Sequence, residues 1–150
     1  MDLILWRHAE AEEGSPDMER RLTARGEKQA DRMAAFLRDR LPQNTRILVS
    51  PARRAQQTAQ ALSKNFTTEP AIAPGVSPQA LLDTVNWHDG KGCVLVVGHQ
   101  PTLGEAAAML MSGKAEYWSI KKGAVWWLSR RERETSSETI LRLVIAPDSL

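Results

Sequence analysis

Leu3-Ile4-Leu5-Trp6-Arg7-His8 is the stretch that decides the fold of this chain, because an apolar run passes directly into two polar residues. Four consecutive apolar residues are typical of a strand that is buried on both faces of a sheet. Two similar runs follow, Ile47 to Val49 and Cys93 to Val97, and a polar side chain comes soon after each of them. We therefore predict three buried, parallel strands whose carboxyl ends carry the functional groups.

Segments with helical spacing separate these runs. The segment from about Thr23 to Leu41 has apolar residues on one face, and Pro42 ends it. A second helix is predicted from Ser50-Pro51 to about Lys64, with Ser50 as its cap. Two more helices are predicted, from Pro78 to about Val85 and from about Thr102 to Met111.

The last third of the chain predicts two more strands, Ala124 to Ser129 and Thr139 to Ile145, joined by the polar run Arg130 to Glu138. Pro70 to Val76 is ambiguous and is compatible with a short strand. The alternation of strands and helices predicts an α/β fold, a three-layer α/β/α arrangement. Its sheet is expected to be mostly parallel, with helices on both faces and an antiparallel strand near the C-terminus. We expect residues 1–150 to form a single domain, since no linker or repeat interrupts them.

The composition narrows the functional classes. The chain is 42% hydrophobic and 25% charged, as globular proteins are, and its net charge of +2 is too small for a general nucleic-acid binder. The single cysteine, Cys93, cannot form an intramolecular disulfide and fits a reducing compartment. No stretch reaches the length of a membrane span or has the form of a signal peptide. We expect a cytoplasmic protein with no nucleic-acid or membrane partner.

The three predicted strand ends should meet, because the carboxyl ends of parallel strands lie along one edge of a sheet and ligands bind in the crevice there. The residues that would converge are Arg7 and His8, Ser50 ahead of Arg53 and Arg54, and Gly98 with His99. A lone histidine at a strand end is usually an ordinary polar residue. Two histidines and several arginines at one sheet edge favour a functional site.

Such a set of side chains suits a phosphoryl group. Guanidinium groups match phosphate oxygens with two parallel hydrogen bonds and keep their charge near neutral pH. The nearby cations are expected to lower the pKa of His8 from about 6.5, favouring the neutral form that a nucleophile needs. Phosphoryl transfer depends mostly on positioning and charge stabilisation, so we expect no cofactor and no metal, and no zinc-like ligand spacing occurs.

These motifs resemble the histidine phosphatase superfamily, also called the phosphoglycerate mutase-like family. Arg7-His8-Ala9 resembles its Arg-His-Gly signature, with alanine in place of glycine. Leu22 to Gly26 resembles the element Leu-Thr-x-x-Gly, and Ser50 to Thr58 resembles Ser-Pro-x-x-Arg-Ala-x-x-Thr. Val97 to Pro101 resembles the second histidine motif. The matches lie in family order over roughly residues 3 to 104.

The resemblance implies a role for each matching residue. His8 would be the nucleophile that becomes transiently phosphorylated, with Arg7, Arg54 and His99 completing the catalytic phosphate pocket. The short chain and the form of Arg20-Arg21-Leu22-Thr23 look most like bacterial phosphohistidine phosphatases of the SixA type, which implies that Arg20 also binds phosphate. Gly98 is assigned to the same phosphate-binding set, and whether Arg53 faces the pocket stays open.

One departure from the family bears on the substrate. Larger members carry an acidic residue in the loop after the third strand, yet Pro70 to Leu82 contains no carboxylate and Asp83 comes only next. The connection after His8 has four acidic residues that could act as a general acid, although a solvated loop is the more ordinary interpretation: Glu10, Glu12, Glu13 and Asp17. An alkoxide leaving group needs a proton from such an acid, whereas a protonated imidazole is a far better leaving group.

The leading hypothesis is therefore a metal-independent phosphatase that acts on phosphohistidine in a protein partner, such as a histidine phosphotransfer domain. A second hypothesis is a phosphomonoesterase for small phosphorylated metabolites. A third is a phosphate- or phosphopeptide-binding module without turnover, against which the retained His8 argues, since binding alone needs only the arginines.

Overall fold

A computed structural model describes all of residues 1–150. The strands, in chain order, are β1 (Asp2–Arg7), β2 (Arg46–Val49), β3 (Thr67–Thr68), β4 (Cys93–Gly98), β5 (Val125–Glu132) and β6 (Ser137–Ile145). The helices are α1 (Ala24–Arg38), α2 (Arg53–Gln60), α3 (Pro78–Thr84) and α4 (Thr102–Ser112). Three short 3-10 turns complete the secondary structure, at Asp17–Glu19, Pro70–Ile72 and Pro147–Ser149.

The strands form one six-stranded sheet in the order β3-β2-β4-β1-β5-β6. Strands β3, β2, β4 and β1 run parallel to one another. β5 runs antiparallel to β1, and β6 runs antiparallel to β5. The prediction of a mostly parallel sheet with an antiparallel strand near the C-terminus is confirmed. β1 and β4 lie in the middle of the sheet, so the residues that follow them are surrounded by other elements.

Helices cover both faces of the sheet, which confirms the predicted three-layer arrangement. Because successive residues of a strand point to opposite faces, Leu3 and Leu5 pack with α3 and α4, while Ile4 and Trp6 pack with α1 and α2. All six residues of β4 are buried, including Cys93, as expected for a central strand. No helix of the structure combines the length and the apolar composition that a bilayer-spanning segment requires.

The predicted start of the second helix was wrong. α2 begins at Arg53 rather than Pro51, because Ala52 is extended and Ser50 does not cap the helix. The hydroxyl of Ser50 instead accepts a hydrogen bond from the amide of Ala52, at 3.2 Å, in a turn before the helix. α2 also ends at Gln60, four residues before the predicted Lys64.

Two shorter elements also differ from the prediction. Pro70 to Val76 forms no strand, since Pro70–Ile72 is a 3-10 turn that starts with a proline. The strand of this region is the preceding Thr67–Thr68, which pairs with Leu48 and Val49. Further along, β5 and β6 extend into the polar run and leave only a short turn between Glu132 and Ser137.

Candidate active site

The carboxyl ends of β1, β2 and β4 lie side by side, as the sequence predicts. Arg7 is paired with Gly98, and the amide of His8 donates to the Gly98 carbonyl at 3.0 Å. The amide of Ser50 donates to the carbonyl of the residue before Gly98 at 3.1 Å. As a result, the rings of His8 and His99 face each other with 5.2 Å between their centroids.

The two ring nitrogens of His8 have different roles. Its Nδ1 lies 2.7 Å from the carbonyl oxygen of Ala9, which can only accept, so the proton sits on Nδ1. Its Nε2 carries no proton and accepts a long hydrogen bond, at 3.4 Å, from the Nε of Arg54. This is the arrangement that a nucleophilic imidazole requires.

Burial is the main reason that His8 is neutral. The side chain is 7% exposed, and the loss of hydration lowers its pKa to about 4, with Arg54 and Arg7 acting in the same direction and the Ala9 hydrogen bond against them. The expected direction of the pKa shift is confirmed. The sequence predicted the effect of the nearby cations on the pKa, but it did not predict the larger effect of burial.

Ala9 fits where the family signature has glycine. Its side chain is completely buried against Ala11, Leu22 and Ala30. Its amide donates to the hydroxyl of Thr58 at 3.0 Å, which fixes the backbone beside the Nδ1 acceptor. The extra methyl group is therefore accommodated by packing and does not displace His8.

Arg54 lies in the first turn of α2 and is only 4% exposed. Beyond its contact with His8, its Nη1 donates to the carbonyl of Asp17 at 2.8 Å, and its Nη2 donates to the carboxylate of Asp17 at 3.1 Å. Its neighbour Arg53 is exposed and lines a surface cavity together with Arg20 and Arg21. Unlike Arg54, Arg53 is therefore not buried beside His8.

Arg20 reaches the pocket through Asp17. Its Nη1 donates to the Asp17 carboxylate at 3.0 Å and its Nε to the carbonyl of Glu12 at 2.7 Å. The hydrogen bond from Arg20 holds the pKa of Asp17 below its usual value. The hydrogen bond and the positive charge of Arg54 act in the same direction. Asp17 is thus an ionised carboxylate bound by two of the predicted phosphate-binding arginines.

The sequence did not distinguish the role of Asp17 from the roles of the acidic residues near it. Three of the other candidate carboxylates bond elsewhere, Glu10 to Thr23, Glu12 to Arg21 and Asp83 to Gln79, and Glu13 is exposed. The signal for Asp17 was its position three residues before Arg20, a spacing at which side chains meet in a helical turn.

Arg7 is held by the segment that precedes β5. Its Nη1 donates to the carbonyl of Ile120 at 2.7 Å, and its buried Nε has no partner. The segment is itself fixed by Gln100, whose amide bridges the carbonyl of Trp118 and the amide of Gly104 at 2.8 and 2.7 Å. At Gly104 the approach is so close that an added Cβ would lie 1.8 Å from the Trp118 oxygen.

His99 is oriented in the opposite sense to His8. Its Nε2 lies 2.7 Å from the hydroxyl of Ser50, whereas its buried Nδ1 has no partner. Burial, with further contributions from His8 and Arg54, lowers the pKa of His99 to about 3. Gly98 contributes its backbone carbonyl to the position of His8.

No group of three or more histidine, cysteine, aspartate or glutamate side chains is placed to hold a metal ion. The site consists instead of two neutral histidines, two buried or half-buried arginines and one ionised aspartate. An arrangement of cationic donors around an unprotonated imidazole nitrogen can bind a phosphoryl group and attack it.

Comparison with known proteins agrees with this chemistry. The sequence profile of the histidine phosphatase superfamily (branch 1) matches residues 3–77. The phosphohistidine phosphatase SixA homolog of Haemophilus influenzae is 34% identical, with 73% of this chain and 77% of that protein covered. Phosphohistidine phosphatase SixA of Escherichia coli is 28% identical, with 76% of each chain covered.

The fold is shared as well. A structure of the protein histidine phosphatase SixA complexed with tungstate superposes with a TM-score of 0.84, at 23% identity and with 99% of each chain covered. Fold, site and relatives define the class of this protein, which is a phosphatase. The chain belongs to the histidine phosphatase superfamily, as its motifs implied, and is similar to the SixA proteins within it.

Proposed function

We propose that this protein removes the phosphoryl group from phosphohistidine in a partner protein, through a covalent intermediate on His8. The observation that carries the proposal is the unprotonated Nε2 of a neutral His8, which accepts only a long hydrogen bond, from the guanidinium of Arg54. In this proposal residues 1–150 act as a single domain. The protein works without a metal or cofactor, and the unpaired, buried Cys93 fits the cytoplasm.

The proposed reaction has two transfers. Arg7, Arg54 and His99 bind the phosphoryl oxygens, and His8 Nε2 attacks phosphorus while the bond from phosphorus to the substrate nitrogen breaks, its electron pair going to that nitrogen. The positive charge that develops on the His8 ring is stabilised by the hydrogen bond from Nδ1 to the Ala9 carbonyl. Water then attacks phosphorus and His8 leaves as neutral imidazole, releasing inorganic phosphate.

The choice of phosphohistidine over a phosphate ester rests on the acid–base properties of the site. An alkoxide must be protonated as it leaves, but Asp17, the carboxylate bonded to Arg54, is held in its ionised form. A protonated imidazole needs no such acid, since it leaves as a neutral group. Transfer from one imidazole to another is also nearly balanced in energy, which suits a pocket built on His8.

The relatives support the same substrate class. The proteins of Haemophilus influenzae and Escherichia coli carry the name phosphohistidine phosphatase, and the structural neighbour holds tungstate, an oxyanion similar to phosphate. We propose a phosphohistidine-bearing protein, such as a histidine phosphotransfer domain, as the partner. In this proposal Arg20 assists phosphate binding, and its hydrogen bond to the Asp17 carboxylate supports that role.

The test is a comparison of two substrates. We expect the purified protein to dephosphorylate a histidine phosphotransfer domain much faster than an alkyl phosphate, and acid-labile phosphate to appear on His8 in a rapid-quench experiment. His8→Asn is the control. Preference for the alkyl phosphate would indicate a metabolite phosphomonoesterase, and binding of the phosphoprotein without turnover would indicate a binding module. Either result would overturn the proposal.

A further inference from the structure

Asp17 occupies an unusual position for a carboxylate in a phosphate pocket. It lies on the 3-10 turn Asp17–Glu19 of the long connection after β1, yet its two carboxylate oxygens accept from Arg20 and Arg54, at 3.0 and 3.1 Å. Arg54 in turn contacts His8 Nε2. A single guanidinium therefore separates the proposed nucleophile from an anionic oxygen, and a phosphoryl group bound by Arg54 would bring its leaving group close to Asp17.

The carboxylate is only partly used by these contacts. The Asp17 side chain is 56% exposed, although its partner Arg54 is almost fully buried. Each carboxylate oxygen has two lone pairs and accepts from one arginine, so a lone pair on each oxygen remains for another donor. Asp17 thus presents acceptors toward solvent next to Arg54.

From this geometry we infer that Asp17 is a specificity-determining residue, which accepts a hydrogen bond from the protonated distal ring nitrogen of the phosphohistidine substrate. The inference rests on the proposed function and names how its substrate is selected. The distal nitrogen is the ring nitrogen that does not carry the phosphoryl group. When it is protonated, the ring is cationic and its bond to phosphorus is weak.

The chemistry of the step balances without a general acid. The substrate ring enters with a proton on its distal nitrogen, held by Asp17. When His8 attacks phosphorus, the electron pair of the breaking bond stays on the substrate nitrogen, and the ring leaves as neutral imidazole that still carries the distal proton. Asp17 neither gains nor loses a proton. Its negative charge favours the cationic ring over the neutral one and so keeps more of the substrate reactive at neutral and higher pH.

A phosphate ester gains nothing from this contact, because it has no cationic leaving group. The carboxylate repels the anionic phosphoryl group of either substrate, and only the cationic ring of phosphohistidine offsets that repulsion. The inference therefore predicts that Asp17 contributes to the preference for phosphohistidine, and that the contribution depends on pH.

The experiment compares Asp17→Asn with the unmodified protein on a phosphohistidine protein and on p-nitrophenyl phosphate. At about pH 8.5, where the substrate ring on its own is mostly unprotonated, we expect the ratio of kcat/KM for phosphohistidine to kcat/KM for the ester to fall by at least about tenfold, which corresponds to the loss of one opposite charge beside the ring. At about pH 5.5 the ring is protonated without help, and the fall in the ratio should be several times smaller.

Two further variants make the test specific. Glu12→Gln removes an equal charge from the same connection, but Glu12 pairs with the exposed Arg21, so both substrates should be turned over as before at both pH values. Asp17→Glu restores a carboxylate and should recover part of the ratio at high pH.

The outcomes separate this inference from the proposed function. If the unmodified protein does not dephosphorylate phosphohistidine, the proposed function fails. If it does, but Asp17→Asn lowers both activities equally or lowers the ratio equally at both pH values, Asp17 only positions Arg54 and the inference is overturned. A pH-dependent fall in the ratio, recovered in Asp17→Glu, supports it.

Discussion

His8 and His99 occupy equivalent places in the fold, each directly after a buried parallel strand, yet their rings make opposite hydrogen bonds. His8 commits Nδ1 to the Ala9 carbonyl and leaves Nε2 beside Arg54. His99 commits Nε2 to the Ser50 hydroxyl and has an unpartnered Nδ1. A strand end that delivers a histidine therefore does not define its role. The group that each ring meets, the Ala9 carbonyl for His8 and the Ser50 hydroxyl for His99, decides which ring nitrogen is left for another role.

The two histidines also differ in the chain that follows them. After His99 the chain enters α4 within three residues, and the amide of Leu103 donates to the His99 carbonyl at 2.9 Å. After His8 it enters an exposed connection of acidic and basic residues that returns to the pocket at Asp17. One side of the site is thus built on the start of a helix, and the other on an exposed connection.

The largest expected effect on activity distinguishes the roles of the two histidines. His8→Asn should abolish turnover, with a loss on the order of 10⁴-fold or more, because the nucleophile is gone. His99→Asn should cost roughly 10²- to 10³-fold, as for the loss of one group that stabilises the transition state. Rapid quench should still detect phosphorylated His8 in His99→Asn. A phosphorylated histidine that appears in His8→Asn but not in His99→Asn would reverse the two roles.

A smaller loss is expected for Arg54→Lys, which tests the side of the pocket that serves His8. Lysine keeps the charge but cannot contact His8 and Asp17 at the same time, as the guanidinium does. We expect kcat/KM to fall by roughly 10²-fold. Arg53→Lys is the matched control, since Arg53 is exposed and is not buried beside His8. Equal losses in the two variants would show that the site is misassigned.

Acid should reveal the cost of keeping His8 neutral. Its pKa is lowered from 6.5 to about 4, so between these values the unfolded chain binds a proton that the native protein does not. The contribution of His8 to stability is therefore fully present above pH 6.5 and is lost as the pH falls toward 4. Over this window His8→Asn should lose less stability than the unmodified protein, by up to about 3 kcal/mol.

Urea unfolding of both proteins at several pH values measures this difference in the free energy of unfolding. The carboxylates titrate in both proteins, so their effect cancels in the comparison. His88→Asn is a suitable control, since His88 is exposed and distant from the pocket, and its stability should follow that of the unmodified protein. Parallel curves for His8→Asn and the unmodified protein would contradict a buried, neutral His8.

The smallest expected effect concerns the hydrogen bond between Ser50 and His99. Ser50→Ala removes the hydroxyl that fixes its Nε2 and leaves a buried polar atom unpaired, which should destabilise the protein by about 1–3 kcal/mol. Thermal or urea unfolding gives the difference. Ser63→Ala, which removes a hydroxyl bonded to a local backbone amide, should cost less. The same cost at both positions would show that the contact between Ser50 and His99 contributes nothing.

Much of this architecture was readable from the sequence, for a physical reason. The apolar runs of β1, β2 and β4 are long enough to show burial on both faces, and parallel strands bring their carboxyl ends together whatever lies between them. The placement of His8, Arg54 and His99 follows from that rule and from the family motifs. Strand β3 could not be found, because two residues carry no periodicity.

The parts that the sequence did not predict depend on contacts between distant segments. Arg7 is held by the carbonyl of Ile120, 113 residues away, and backbone carbonyls leave no trace in residue type. Asp17 looked like one of several loop carboxylates until the fold placed it on Arg54. The Ser50 hydroxyl was predicted to cap a helix, but it bonds to His99, a partner on another strand.

The close contact of Gly104 with the Trp118 carbonyl has a practical consequence for protein engineering. It divides the segment after α4 into an exposed part, from Gly113 to Tyr117, and a fixed part that holds Arg7. A peptide grafted between Lys114 and Ala115 would be carried at the surface with the pocket left in place. By contrast, any side chain at position 104 would push the fixed part away, so a library that varies this segment should leave Gly104 unchanged.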